Sequence, residues 1–125
     1  MNELERLARG ARDVTVSGDR IEVQLPNGRV QRVGVEAGDQ VAYRLTSIAV
    51  PARVLADLPS PEVRIWKVNR SSALVGFRID PKGRLVAEAW LPRPGLSAEE
   101  FLSTIRRLAT EADRVEYLLT GEDVG

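Results

Sequence analysis

Few side chains in this sequence are of types and spacings that do chemistry. Asp80 and Glu88 lie eight residues apart in a stretch that reads as a hairpin. Paired carboxylates can serve as general acid and base when burial drives their pKa values apart. Arg78 and Arg84 stand beside them in sequence, so cross-strand ion pairs on a solvated face account for these acids better than catalysis does. A second grouping sets six bases, Arg64, Lys67, Arg70, Arg78, Lys82 and Arg84, against a single acid, Asp80, with Trp66 and Phe77 interleaved. Basic residues alternating with aromatics can form a nucleic-acid patch. Phe77, however, is in phase with an apolar face and RNA-binding aromatic motifs are absent, so nucleic-acid binding is the weaker reading. Trp90 is out of phase with the apolar side of its strand. It either packs under another element or is exposed at an interface, where Trp is enriched.

What is missing excludes more chemistry than what is present suggests. The chain has neither Cys nor His. It can form no disulfide, no Cys/His zinc site, no thiol nucleophile and no Ser-His-Asp triad of its own. Glycine-containing turns lack the spacing that cradles a pyrophosphate, and they read as hairpin turns. No catalytic, metal or cofactor residue is therefore expected. The 125 residues suffice for one domain, residues 1–125, with one sizeable core. Eighteen Lys plus Arg balance eighteen Asp plus Glu, and the balance holds in both halves, so no arm is set apart for a polyanion. No apolar run approaches the roughly 20 residues that span a bilayer, and the start, Met1 to Arg6, is charged where a signal peptide is apolar. The expectation is a cytoplasmic protein with no membrane contact.

Leu4, Leu7, Ala8 and Ala11 recur at helical spacing and Gly10 limits the segment, which predicts a short opening helix. Val14 and Val16, then Ile21, Val23 and Leu25, alternate as half-buried strands do. Pro26-Asn27-Gly28 makes a turn, after which Val33 and Val35 resume the period. Val30 is out of phase, which predicts a bulge or burial on both faces there. Ala37-Gly38-Asp39 is a second turn, and Val41, Tyr43 and Leu45 open a strand that changes phase at Thr46-Ser47 and runs to Val50 before Pro51. Residues 61–70 combine strand propensity with a helix start at Ser60-Pro61-Glu62, and a short helix ended by Asn69 is the reading adopted. Ala73, Val75, Phe77 and Ile79 then share one face, with Leu74, Gly76, Arg78 and Asp80 on the other. The return strand carries Leu85, Ala87, Ala89 and Leu91 on one face and Val86, Glu88 and Trp90 opposite. Ser97-Ala98-Glu99-Glu100 is a capping box that opens a helix with the stripe Phe101, Ile105, Leu108, Ala112, Val115 and Leu119. Leu102, Ala109 and Leu118 widen the stripe, and Gly121 caps it. The acids of this helix and the bases of residues 64–84 point to an attraction between helix and hairpin, within one subunit or across a dimer. The sum is an α+β fold: an antiparallel sheet of about five strands packed against N-terminal, middle and C-terminal helices.

From Val68 onward the chain resembles the YbjN family of bacterial sensory-transduction regulators, whose domain looks like the class I type III secretion chaperones. The matching stretches are Val68-Asn69, Gly76-Phe77-Arg78-Ile79-Asp80, Gly83-Arg84-Leu85-Val86, Leu91-Pro92, Gly95-Leu96-Ser97-Ala98-Glu99-Glu100-Phe101, Ala112-Asp113-Arg114-Val115-Glu116 and Leu119-Thr120-Gly121-Glu122-Asp123. The resemblance implies a non-enzymatic homodimer that binds a polypeptide partner in a chaperone-like or regulatory role, with contacts through the sheet. It transfers no catalytic residue. Trp66, Trp90, Val86 and Glu88 are the candidates for the partner or dimer contact. A regulatory domain binding a small ligand or nucleic acid is the alternative.

Overall fold

The computed structural model describes residues 2–37, 41–72 and 74–121. Six strands, one more than expected, form a single antiparallel sheet: β1 (Val14–Ser17), β2 (Arg20–Gln24), β3 (Val30–Glu36), β4 (Ala42–Val50), β5 (Gly76–Ile79) and β6 (Leu85–Pro92). Their order across the sheet is β1-β2-β3-β4-β6-β5, so the first four strands form a meander and the last hairpin attaches through β6 to β4. Four helices complete the fold: α1 (Glu3–Leu7), α2 (Ala52–Ala56), α3 (Pro61–Ser71) and α4 (Ala98–Thr120).

The alternation read from the sequence sets the faces. Ile21, Val23, Val33, Val35, Leu45, Leu85, Ala87 and Ala89 are buried on one side of the sheet. Across that side runs α4, with Phe101, Ile105, Leu108, Ala109, Ala112 and Val115 fully buried. Ser97 Oγ accepts the Glu100 N–H at 3.1 Å, as the capping box requires, and the Gly121 cap has φ 68° and donates to the Tyr117 carbonyl at 2.8 Å. α1 docks Leu4, Leu7 and Ala8 in the same core, with Asn2 Oδ1 accepting the Glu5 N–H. A five-residue helix is unstable alone and depends on that burial.

Several expectations are corrected. Val30 is exposed and pairs in regular register with Gln24, with no bulge; the inward position is taken by Gln31, whose amide oxygen accepts from the buried Ser47 hydroxyl at 3.2 Å. Pattern reading ignored Gln31 because it is polar. The phase of β4 likewise does not change at Thr46-Ser47: Ser47 and Ala49 continue the inward row, Ile48 faces outward, and the irregularity falls between Ile48 and Val50. Val41 and Leu118 are exposed. A further short helix, α2, follows Pro51, where no periodicity in the sequence marks one. α3 is the middle helix, but Ser60 adopts φ 50° and makes no side-chain cap, and the helix passes Asn69 to end at Ser71. The turn residues Gly38 and Asp39, together with Ala73, Glu122 and Asp123, lie outside the described residues.

The bases of the last hairpin do not account for the acids of α4. The Arg29 guanidinium, from the turn between β2 and β3, donates to both Asp113 and Glu116. At its other end α4 uses a base, Arg106, to hold Asp13 through bonds of 2.7 and 2.8 Å, which keep the Asp13 carboxyl below its usual range.

If α4 is the main core element, Ile105→Ala should cost about 2 to 5 kcal/mol through lost transfer energy and a cavity. Arg107→Ala, exposed on the neighbouring position, should stay within about 0.5 kcal/mol. Both changes introduce Ala, so helix propensity is controlled. Chemical denaturation decides it, and equal midpoints for the two variants would refute the assignment.

Candidate partner-binding surface

Helices lie on one side of the sheet, which leaves the other side as a shallow concavity of about 860 Å³. Its floor is the outward row of each strand: Thr15 and Ser17, Arg20 and Glu22, Arg32 and Gly34, Arg44, Thr46 and Ile48, then Val86 and Arg78. Most charges on this floor are paired; Arg20 makes no ion pair among the described residues. Arg32 reaches Glu22 at 3.6 Å, and Arg44 spans Glu36 at 3.1 Å and Glu88 at 2.7 Å. Arg84 holds Asp80 at 2.7 Å across the β5–β6 turn, and this lowers the Asp80 carboxyl pKa.

Glu88 is the node of the arrangement. Its carboxylate accepts from Arg44 on β4, from Arg78 Nε on β5 at 2.9 Å and from the Trp90 indole Nε1 at 3.0 Å on its own strand. Cross-strand register places these groups: Thr46 and Gly76 flank Glu88, Arg44 is opposite Trp90, and Arg78 is opposite Val86. The cross-strand ion pairing expected for the hairpin acids is therefore present, with Arg44 as a contributor that sequence spacing gave no means of assigning. A carboxylate committed to two guanidiniums and an indole is a poor proton shuttle.

Trp90 takes the exposed alternative, with 60% of its surface open, while its indole N–H is satisfied by Glu88. Beside it lies a groove of about 460 Å³ lined by Leu74, Gly76, Phe77, Arg78, Glu88, Ala89 and Trp90. Gly76 leaves the floor open, since a Cβ built there meets nothing within 4 Å. Leu74 is 81% exposed and has φ 70°, a left-handed conformation that costs a branched residue about 1 kcal/mol or more. Of the other candidates, Val86 is on this face but only 4% exposed, lying between Ile48 and Arg78, whose apolar stem can cover it. Trp66 is exposed on a different element, α3, with the Arg70 guanidinium 5.0 Å from its ring centre. β6 thus brings Val86, Glu88 and Trp90 together, while Trp66 is carried by α3.

The outer edge beyond β5 is partly closed. The Phe77 N–H donates to Asn69 Oδ1 at 2.8 Å, and Asn69 Nδ2 donates to the Phe77 carbonyl at 3.0 Å, so one side chain of α3 substitutes for a neighbouring strand. Four of the six bases counted toward a nucleic-acid patch are engaged: Arg64 donates to the Pro59 carbonyl, Arg70 covers Trp66, and Arg78 and Arg84 hold carboxylates. Among the described residues no group of His, Cys, Asp and Glu is placed to hold a metal ion, and no helix is long and apolar enough to cross a membrane.

No protein-family model and no curated protein matches the chain. Solved structures do. A chain of the ExsC–ExsE complex aligns over 96% of both chains with 17% identity and a TM-score of 0.63. An uncharacterized protein from Methanothermobacter thermautotrophicus aligns over 94% of both, with 18% identity and a TM-score of 0.62. A chain of the complex of the Yersinia pestis type III secretion chaperone SycH with a fragment of YscM2 aligns over 90% of this chain and 95% of its own, with 12% identity and a TM-score of 0.57. At these identities the likeness is one of fold, and the fold is that of the type III secretion chaperones.

Proposed function

We propose that residues 1–125 form one non-enzymatic, cytoplasmic, chaperone-like domain of the YbjN type, which acts as a homodimer and binds a polypeptide partner. The observation that carries this reading is the groove between Leu74 and Trp90, two large apolar side chains held open to solvent on either side of a glycine floor. Exposed Trp anchored by a hydrogen bond is the kind of residue that dominates protein interfaces. The fold supports the reading, because SycH and ExsC were solved with polypeptide partners. The paired charges of the open face support it against a polyanion, and the commitment of Glu88 and Asp80 to arginines supports it against acid–base catalysis. Dimerisation would use the exposed Trp66 on α3 or the outer face of β6, where Glu88 holds Trp90 in place.

Light scattering should give a mass near two chains. A mass near one chain, unchanged to high micromolar concentration, would remove the homodimer from the proposal. Affinity capture from the native cell, read by mass spectrometry, should return a reproducible polypeptide that Trp90→Ala loses. Truncating such an anchor should weaken binding by about 2 kcal/mol or more. Because Trp90 is exposed, folding stability should change by no more than about 0.5 kcal/mol. Co-purified nucleotide or lipid in place of a polypeptide would count against the reading. Hydrolase and transferase panels should be blank, and an activity abolished by Glu88→Gln or Asp80→Asn would overturn the non-enzymatic assignment.

A further inference from the structure

The turn between β2 and β3 is fastened to α4 by charges that lie below the surface. Arg29 Nε donates to Asp113 and one of its terminal nitrogens donates to Glu116, while Asn27 Nδ2 donates to Asp113 Oδ2 at 3.1 Å. Side-chain exposure falls from 19% for Arg29 and 12% for Asp113 to 3% for Glu116. Asp113 and Glu116 are three residues apart on α4, so one helix face presents both carboxylates to one guanidinium. Among the described residues, Arg29 from the turn and Asp113 from the helix are the charged groups that act on Glu116.

Two carboxylates on one cation in a largely dry site are not both ionised at low cost, because desolvation and mutual repulsion each favour a bound proton. Asp113 is the more exposed of the two and has the Asn27 amide in addition to Arg29. Burial therefore favours the protonated form of Glu116. We propose that Glu116 is a proton-binding group that makes the docking of the Leu25–Arg29 turn on α4 depend on pH. Burial raises its pKa above the ordinary 4.5; the Arg29 charge opposes the rise and the Asp113 charge adds to it. A raised folded-state value means that the stabilisation is complete below the unfolded value and is lost as pH rises through the folded one. With Glu116 neutral, Arg29 and Asp113 form a balanced pair; with it ionised, the site carries a further buried negative charge and the turn is held less firmly. The clasp is also one wall of a groove of about 430 Å³ shared with Arg114 and the exposed Tyr117 and Leu118, so its loosening would reshape an apolar surface patch.

Carboxyl-carbon NMR of the full chain, titrated from acid to mildly alkaline pH, tests this directly. Glu116 should titrate with a midpoint above 4.5, and the Asn27, Gly28 and Arg29 amide resonances should move with the same midpoint. Glu116→Gln should flatten the response of the turn, and Asp113→Asn should lower the Glu116 midpoint. A Glu116 midpoint at or below 4.5 would overturn the proposal. So would turn amides that stay still through the Glu116 titration, or that keep the wild-type Glu116 midpoint in Glu116→Gln. If Glu116→Gln does not fold, the wild-type titration and Asp113→Asn decide the matter alone.

Discussion

One long helix can cover only one side of a six-stranded sheet, and most of the molecule's design answers that constraint. α4 is 23 residues long and supplies six fully buried side chains to the core side. At roughly 1.5 to 3 kcal/mol for each large apolar side chain buried, this contact is the main source of tertiary stability. It also leaves the opposite side wet. An uncovered face built of apolar residues would aggregate, and an uncovered face of unpaired like charges would repel itself. The chain takes a third course: polar and small residues share the exposed rows with charges that are mostly set in cross-strand pairs, Glu88 bridging β4, β5 and β6.

The edges of the sheet follow from the same constraint. β5 is only four residues long, and its outer backbone is occupied at Phe77 by the Asn69 side chain. Short edges with blocked donors resist strand addition from other chains. α3 therefore does more than connect β4 to β5, because it places Asn69 where another strand would otherwise pair. The exposed apolar residues near that edge, Leu74 and Trp90, line a shallow open groove. A groove admits a shaped partner and offers less to indiscriminate strand-to-strand contact.

Much of this was legible in the sequence, and the failures have a common cause. Alternation fixed the faces of β2 and β6 and the stripe of α4, because apolar residues there coincide with buried positions. It misread β3 and β4 where buried positions are polar: Gln31 and Ser47 satisfy one another inside the sheet, so the apolar Val30 and Ile48 were given the inward role. The outward pairing of Asp80 and Glu88 was legible because Arg78 and Arg84 are near in sequence. Arg44 was not, being 44 residues from Glu88, and neither was Arg29, whose partners lie 84 and 87 residues away. No local signal marks such pairs. They exist only once the fold has set β4 against β6 and has carried the β2–β3 turn over α4.

Within the zero net charge, many of the charges are also paired in space. α1 shares this economy: Glu3 bonds Arg93 at 3.1 Å, Arg93 stacks 4.4 Å from the Tyr43 ring, and the Tyr43 and Arg93 bonds hold the Glu3 carboxyl below its usual pKa. A surface of zero net charge with many of its charges paired has little long-range field with which to steer a partner, so association should depend weakly on salt and proceed at ordinary docking rates. Discrimination then falls to shape and to desolvation at short range. The groove beside Trp90 is suited to that work, since its floor is a glycine, its walls are apolar, and the nearest charges, Arg78 and Glu88, already satisfy each other.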